Sequence, residues 1–583
     1  MARPSRIGIV HVALALFALA LIGRAAQVQL WQGRAWAMRA ARQQTTAAEV
    51  PAPRGGILDA SGGVLAESRE LVALDVAPRE VKDAAALRRA LARAGVPGAT
   101  ATRATDRRRA WVPIPGHYLP TEAAPLVAMR GVYARPVSDR VYAFPRGLRP
   151  VIGSVAADGS PVDGLELALD SLLRGTPGRA LALRDARGRR FESPTVSGVD
   201  PRPGHTVVLT INRELQEICE RALASAVRDL DADGGDVLVV DPHDGALLAM
   251  ASWRAARGGS ATALTEPFEP GSTLKPVIAA SLLTLGRARP DEAIDTYDGV
   301  YTTHGRTIND IHKAARLSLA DVIGYSSNVG IVRFAERLTP REQFEALRDF
   351  GFGAPTGVPH PSEAAGRLRA PGDWSAQSGA SLAMGYEVAV TPLQLALAYA
   401  AFANGGELLA PALIREIRDP DGEVLYRHAP RVVRRVMSRD VATAVREMLA
   451  GVVARGTARQ AEMTTFAVAG KSGTSRRAAL GRGYVAGEYF ASFVGLFPAD
   501  APQYVVLVKL DNPSGKYYGG QTAAPVTKVV LEAALAARDA ALDRGALLAR
   551  AERRAAAQPP PVPSPEPVAD SAPEPVRTPA PEP

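Results

Sequence analysis

The sequence predicts an α+β fold, one antiparallel sheet with helices packed on it, preceded by a transmembrane helix and an elongated, strand-rich pedestal domain. Three observations predict it. After His205, strand patterns gather at the two ends of the region and helical patterns fill the middle; one long apolar stretch lies near the amino terminus; and from Gln27 to roughly Pro203 short strands and turns alternate with a few helices.

The elements follow in order. Arg3 and Arg6 precede the apolar stretch Ile7 to Gly23, at the short end of what crosses a hydrocarbon core of ~30 Å. A cleaved signal peptide is the competing reading. Gly23-Arg24-Ala25 stands where a small-x-small cleavage site belongs, and the apolar run outlasts a typical signal core, which favours a retained anchor. Arg24, Arg34, Arg39 and Arg42 follow the stretch, so arginine does not orient it; export of the bulk of the chain is inferred from the lack of further spans and from the chemistry below. In the pedestal, two glycine pairs bracket Ile57-Leu58 within Arg54 to Ala66, the mark of a strand and tight turn, and Gly164 to Leu173 forms a short amphipathic helix ended near Gly175. Then come a strand at Thr206 to Ile211 and a helix at Arg213 to Asp229. Two hairpins follow, Asp236 to Val240 with Ala246 to Met250, and Tyr489 to Phe497 with Gln503 to Leu510. Between the hairpins, Ser272 to Leu449 is mostly helical, with a capping box at Ser318 to Asp321 and another at Thr391 to Gln394; the second helix stops at Asn404-Gly405-Gly406. A last helix runs from Ala523 to about Ala555, and the tail Gln558 to Pro583, dominated by Pro, Ala, Glu and Ser, is expected to be disordered.

Composition bounds the function. The net charge of +9 rests on scattered arginines without aromatic interleaving, which gives no support for nucleic acid. The one cysteine, Cys219, falls on the apolar side of its helix and can form no intrachain disulfide. Of 69 basic residues only seven are lysines, Lys82, Lys275, Lys313, Lys471, Lys509, Lys516 and Lys528. Arginine supplies ordinary positive charge here, so a lysine points to a role that needs an amine able to lose its proton.

Three segments carry chemistry. In Glu269-Pro270-Gly271-Ser272-Thr273-Leu274-Lys275-Pro276 a loop enters a helix, and at a separation of i, i+3 the Ser272 hydroxyl and Lys275 amine share one side of the first turn. A serine with a lysine three residues on is by itself most simply a capped surface helix. Gly324-Tyr325-Ser326-Ser327-Asn328-Val329 alone is a polar turn, and Ala469-Gly470-Lys471-Ser472-Gly473-Thr474-Ser475 is a sheet-edge strand with a glycine where a ligand approaches. Together, S-x-x-K, S-x-N and K-S-G-T in this order form the triplet of the penicillin-binding proteins and class A β-lactamases.

On these motifs the chain resembles the class B penicillin-binding proteins, and most of all their division-specific (septal) peptidoglycan transpeptidases. The resemblance runs from the anchor to about Leu535 through Arg54 to Ala66, Gly164-Leu165-Glu166, Pro270 to Thr273, Ser326 to Gly330, Val390 to Gln394, Phe493-Val494-Gly495, Gly519-Gly520 and Ala523-Ala524-Pro525. The sequence departs from the family pattern at Ala60, usually arginine, at Glu387, frequently glycine, and at Thr527, frequently aromatic.

The resemblance implies a transpeptidase acting on stem peptides that end in D-Ala-D-Ala, and covalent binding of β-lactams. Ser272 is then the nucleophile, Lys275 its base, Ser326 a proton relay, Asn328 a holder of the substrate amide, and Lys471 with Ser472 and Thr474 the site of the terminal carboxylate. Gly473 brings the Thr474 amide close, and the amides of Ser272 and Thr474 form the expected oxyanion hole. Lys275 must be neutral to act; desolvation and the charge of Lys471 are both expected to push it that way. No metal or organic cofactor is implied. Expected partners are a polytopic membrane glycan polymerase of the shape, elongation, division and sporulation family, other division proteins, and the membrane itself. The chain divides into a cytoplasmic start (1–6), an anchor (7–26), the pedestal (27–204), the transpeptidase domain (205–542) and a tail (543–583). An elongation-specific enzyme, a carboxypeptidase or β-lactamase using water, a sensor, and a scaffold with a residual acylation site are the rival readings. A phosphate-loop reading of Gly470-Lys471-Ser472 fails, because Thr465 stands where its first glycine belongs.

Overall fold

The computed structural model describes residues 6–36, 45–143, 146–184, 190–192, 199–255, 258–259, 261–479 and 483–557; the expected disordered tail and residues 1–5 lie outside them. The helix Arg6–Ala26 continues through one further turn to Trp31, and no residue along it is buried. Its 26 residues extend about 39 Å, more than the ~30 Å of a hydrocarbon core. Among the described residues it is the one helix long and apolar enough to cross a membrane. The exposed Trp31 at its end suits a membrane–water boundary.

The pedestal is built on the strand Val64–Val76, which pairs along one edge with Val132–Tyr142 and along the other with Ile57–Leu58 and then Val112–Tyr118. Sequence reading expected only short strands here. The strand is long because it joins two cores: Leu65 and Ala66 lie in the main core, Leu74 and Val76 in a smaller one around Leu87 and Leu91. Between them Arg69 and Glu70 cross solvent, which hides the strand from any alternation rule although the ladder to Val132–Tyr142 continues past them.

The second half is built on a six-stranded sheet in the order Gly258–Gly259, Leu247–Arg254, Gly234–Val240, Tyr504–Asp511, Gly483–Phe497, Ala469–Ala479, all neighbours antiparallel. Helices Arg213–Asp229 and Ala523–Ala536 pack against it together, and Pro392–Ala403 and Arg439–Ala454 also lie on it. Asn212 caps the first of these by accepting from the Leu215 amide at 2.9 Å, and Cys219 is fully buried in its apolar stripe. The box at Thr391 is complete, Thr391 Oγ1 accepting from the Gln394 amide and Gln394 Oε1 from the Thr391 amide, whereas Ser318 caps Asp321 and donates to its carboxylate instead.

Two expectations change. The stretch from Ser272 to Leu449 also holds hairpins, among them Val300–Thr303 with Arg306–Asn309 and Ile414–Arg418 with Val424–Arg427. Their strands are short and much exposed, so they leave no periodic signal. The last helix is two, Ala523–Ala536 and Arg544–Ala557. The chain breaks between them because Asn212 Nδ2 donates to Asp539 O and Glu214 accepts the Asp539 amide at 2.6 Å, after which Asp543 caps the new helix.

The two halves share hydrogen bonds. Thr206–Leu209 pairs in parallel with pedestal strand Ile57–Leu58 and antiparallel with Ile414–Arg418 of the second half. Beside this seam Arg54 binds Glu166 at 2.6 Å and Asp170 at 2.5 Å, Arg140 binds the other Glu166 oxygen at 2.7 Å, and Arg213 holds Asp59 at 2.9 Å. Glu166 is fully buried between two guanidinium groups. Glu166→Ala strips the buried Arg140 of its carboxylate and leaves Arg54 only Asp170, at a cost of about 3–5 kcal/mol. Thermal unfolding followed by tryptophan fluorescence is expected to show a midpoint several degrees lower; an unchanged midpoint rules the cluster out as a stabilising joint.

Candidate active site

Ser272 sits in one tight turn, Gly271–Leu274, that opens into helix Lys275–Thr284. Pro276 lies in the first turn of that helix, where its missing amide hydrogen costs nothing, and nearly every following residue is buried, so the helix is a fixed post in the core. The turn is pinned from several sides. The Gly271 amide donates to Gly385 O at 3.0 Å, Thr273 Oγ1 to Pro270 O at 2.7 Å, Tyr399 Oη to Thr273 O at 2.7 Å and Ser475 Oγ to Glu269 O at 2.6 Å. Gly271 is left-handed, with φ +57°, and a Cβ there meets Thr474 O at 2.9 Å.

The Lys275 amine is fully buried and donates to Ser326 O at 2.6 Å and Asn328 Oδ1 at 2.8 Å, with Ser326 Oγ at 3.3 Å. Burial lowers its pKa to about 7, against an opposing pull from the Asp310 carboxylate. A neutral amine has two hydrogens and one lone pair. Two carbonyl oxygens take the hydrogens, which leaves the lone pair for a hydroxyl proton. Among the described residues no hydrogen bond joins the Ser272 hydroxyl to this amine. The charge of Lys471 does not share in the shift, contrary to expectation. Burial first, and Lys275 second, push the Lys471 amine well below its usual range.

Ser326 stands at φ +60°, a left-handed turn that aims its carbonyl at Lys275. Ser327 caps helix Asn328–Ala335 by accepting from the Gly330 amide at 2.8 Å, so Asn328 opens the helix beside the lysine. The third segment is the edge strand Ala469–Ala479. Lys471 pairs with Val494 and Gly473 with Ser492. Its other edge faces the Ser272 turn, which leaves alternate amides outside the ladder. Lys471 Nζ is fully buried and donates to Ser472 O at 3.0 Å. Ser472 and Thr474 share the opposite face by alternation; Ser472 Oγ lies 2.8 Å from Thr457 Oγ1, and Thr474 Oγ1 accepts from the Gly519 amide at 3.1 Å. At Gly473 a Cβ meets Ser492 Oγ at 2.6 Å and Pro270 O at 2.8 Å, so strand and serine turn approach as closely as they do only because no side chain separates them.

Sequence reading missed Asp310 and Glu269. Asp310 is a buried clamp: it takes the Ser327 hydroxyl, the Asn328 amide at 2.5 Å and the Val329 amide at 3.0 Å. A lone aspartate after a strand carries no pattern. Glu269 receives the Glu387 amide at 2.9 Å and Tyr484 Oη at 3.3 Å, and burial raises its carboxyl. Glu387 has φ +61°, which accounts for the frequent glycine at this position, and its carboxylate pairs with Arg369. Asp310→Ala releases Ser327 and Asn328 together. Labelling of Ser272 by a serine-directed acylating agent is expected to slow about 100-fold, the scale of a 1 Å misplacement, with an unfolding midpoint that still reports a folded domain; labelling at the parent rate removes the clamp.

Comparison with known proteins agrees with this geometry. Residues 235–532 match the penicillin-binding protein transpeptidase domain, and residues 49–209 the penicillin-binding protein dimerisation domain. The chain is 32% identical over 552 residues to the probable peptidoglycan D,D-transpeptidase PbpC of Pseudomonas aeruginosa, covering 92% of this chain and 95% of that one. It is 28% identical over 539 residues to the peptidoglycan D,D-transpeptidase FtsI of Escherichia coli, covering 88% and 89%. The crystal structure of penicillin-binding protein 3 of Mycobacterium tuberculosis complexed with aztreonam superposes with a TM-score of 0.64 at 28% identity, covering 83% of this chain and 96% of that one. With a serine turn, a buried lysine and an edge strand in one place, and a relative matched along almost its whole length, the chain belongs to the penicillin-binding proteins and is a peptidoglycan D,D-transpeptidase, a dimerisation module followed by a transpeptidase domain.

Proposed function

We propose that the chain cross-links peptidoglycan stem peptides during septal wall synthesis through an acyl-enzyme on Ser272, and that penicillins acylate the same serine. The observation that carries this is the Lys275 amine: buried, near pKa 7, and bonded to Ser326 and Asn328 beside the serine turn. In the first half-reaction Ser272 Oγ attacks the carbonyl carbon of the penultimate D-Ala, and its proton passes to neutral Lys275. The amides of Ser272 and Thr474 stabilise the developing oxyanion. The peptide C–N bond then breaks. Lys275 returns the proton through the Ser326 hydroxyl to the leaving amine, and free D-Ala departs. In the second half-reaction an amine of a neighbouring stem attacks the ester and gives its proton to Lys275, and as the C–O bond breaks Lys275 passes that proton to Ser272 Oγ, which restores the hydroxyl and the neutral amine. Asn328 holds the donor amide; Ser472 and Thr474 receive the terminal carboxylate, whose approach favours the charged form of Lys471. In a β-lactam the broken C–N bond lies within a ring, so the amine cannot depart and the ester persists.

The septal assignment draws on the similarity to a protein named FtsI, on Ser326-x-Asn328 and on the compact pedestal. The bulk of the chain then lies on the outer side of the membrane, where the substrate is, held by helix Arg6–Ala26. The pedestal is the surface offered to a polytopic glycan polymerase and other division proteins.

Intact-mass analysis of the full chain with a broad-spectrum penicillin is expected to show one adduct at Ser272, absent in Ser272→Ala. Because Lys275 acts as the neutral amine, the acylation rate is expected to fall about tenfold per pH unit below 7 and to level off above it. No adduct on folded protein, or a flat profile from pH 5 to 9, overturns the reading. A fluorescent fusion is expected at the division site, with filamentous cells on depletion; uniform fluorescence and rounded cells assign the chain to elongation.

A further inference from the structure

A cavity of about 400 Å³ lies on the catalytic half, lined among others by Thr303, His304, Val332, Ala335, Glu336 and Trp374. Its size is that of a small-ligand site. Two elements connect it to the active site. Along helix Asn328–Ala335, residues 328, 332 and 335 share one face, so the face that presents Asn328 to Lys275 presents Val332 and Ala335 to the cavity. Seven residues along a helix amount to about 10 Å. The second element is the hairpin Val300–Thr303 with Arg306–Asn309. Asn309 O accepts from Asn328 Nδ2 at the site, and Thr303, paired with Arg306, lines the cavity. Three residues along a strand again amount to about 10 Å. The far wall is tied to the hairpin by Arg306 Nη1 donating to Ser381 Oγ at 2.9 Å and Gln377 Nε2 donating to His304 O at 3.0 Å.

The lining favours an uncharged, hydroxyl-rich ligand. Trp374 is fixed by its indole N–H, which donates to Arg369 O at 2.9 Å. Glu336 is neutralised by Arg333 at 2.7 Å and accepts the Tyr301 hydroxyl at 2.8 Å, so neither charge is free to demand a counter-ion. Thr303, Ser375 and the Glu336 carboxylate supply polar contacts against an aromatic wall. The distance matters too. Four stem residues between an acylated D-Ala carbonyl and the sugar reach about 14 Å as an extended chain, and along the helix from Asn328 the cavity lining runs from Val332, about 6 Å away, to Ala335, about 10 Å away.

We infer that this cavity is a subsite for the N-acetylated sugar carrying the donor stem peptide, so that the enzyme reads its donor as glycan and peptide together. The inference rests on the transpeptidase reading above. The test uses full-length protein in detergent with a fixed acceptor amine, and compares release of D-Ala from a pentapeptide and from the same pentapeptide on its disaccharide. The wild type is expected to favour the sugar-bearing donor about tenfold in kcat/KM. Trp374→Ala, and Ala376→Phe at the exposed mouth, are expected to abolish that preference while sugar-free turnover and penicillin labelling stay at the wild-type rate. Equal use of both donors by the wild type overturns the subsite. A preference that appears only when the sugar is on the acceptor overturns its assignment to the donor. If Trp374→Ala slows penicillin labelling as well, Ala376→Phe decides: an intact sugar preference in that variant overturns the inference. Failure of the wild type to take penicillin removes the transpeptidase reading itself and the subsite with it.

Discussion

The site depends on one ammonium removed from water. Lys275 can serve as a base near neutral pH only because helix Lys275–Thr284 is buried nearly all round and carries the amine into the core. Such burial is tolerable only if the amine hydrogens find acceptors. Those acceptors are the carbonyl of a left-handed serine and the amide oxygen of a helix-opening asparagine, and the Asp310 carboxylate fixes both by taking the hydroxyl of Ser327 between them and the Asn328 amide itself. Remove the burial and the lysine is an ordinary cation. Remove the acceptors and the burial becomes too costly to sustain.

The second constraint is how near two backbones approach. The serine turn and the edge strand are separated by no side chain at Gly271 or Gly473, and Gly385 closes the third side, where a Cβ would fall 2.0 Å from Gly271 O. Amides from separate parts of the chain can converge on one oxygen only at such distances. Behind them, Lys509 is buried between Asp236 and Asp511 with its ammonium 5.3 Å from the Phe268 ring and 5.1 Å from the Phe490 ring. The compact ammonium is shared there between two carboxylates and two ring faces. Three of the seven lysines, Lys275, Lys471 and Lys509, are thus buried in this one half.

What could be read from the sequence follows physical range. Helix Arg213–Asp229, both long hairpins of the sheet and the caps at Thr391 and Ser318 are local patterns, and the motif triplet marks Ser272, Lys275, Ser326, Asn328 and Lys471 by fixed spacing. Asp310 acts across the loop that follows its hairpin, and Glu269 acts through a neighbour more than a hundred residues away; neither has a spacing to read. The break after Ala536 is set by Asn212 and Glu214, and the length of Val64–Val76 by the need to join two cores, so propensity is silent on both. The lysine count pointed to proton chemistry, but it could not say that Lys471 is buried and lowered as well, because that depends on how the edge strand packs.

The ladder Val424–Arg427, Ile414–Arg418, Thr206–Leu209, Ile57–Leu58, Val64–Val76 runs without a gap from the catalytic half into the pedestal. Such a seam transmits force as a beam does, because a tilt at one end must shear several hydrogen bonds in register before it can be absorbed. Modular exchange is restricted in the same way. A pedestal grafted from a relative brings its own copy of Ile57–Leu58 to a Thr206–Leu209 strand whose opposite edge is already committed to Ile414–Arg418. The natural unit of recombination is therefore the pedestal together with the 404–428 segment, two pieces far apart in the gene and inseparable in the sheet.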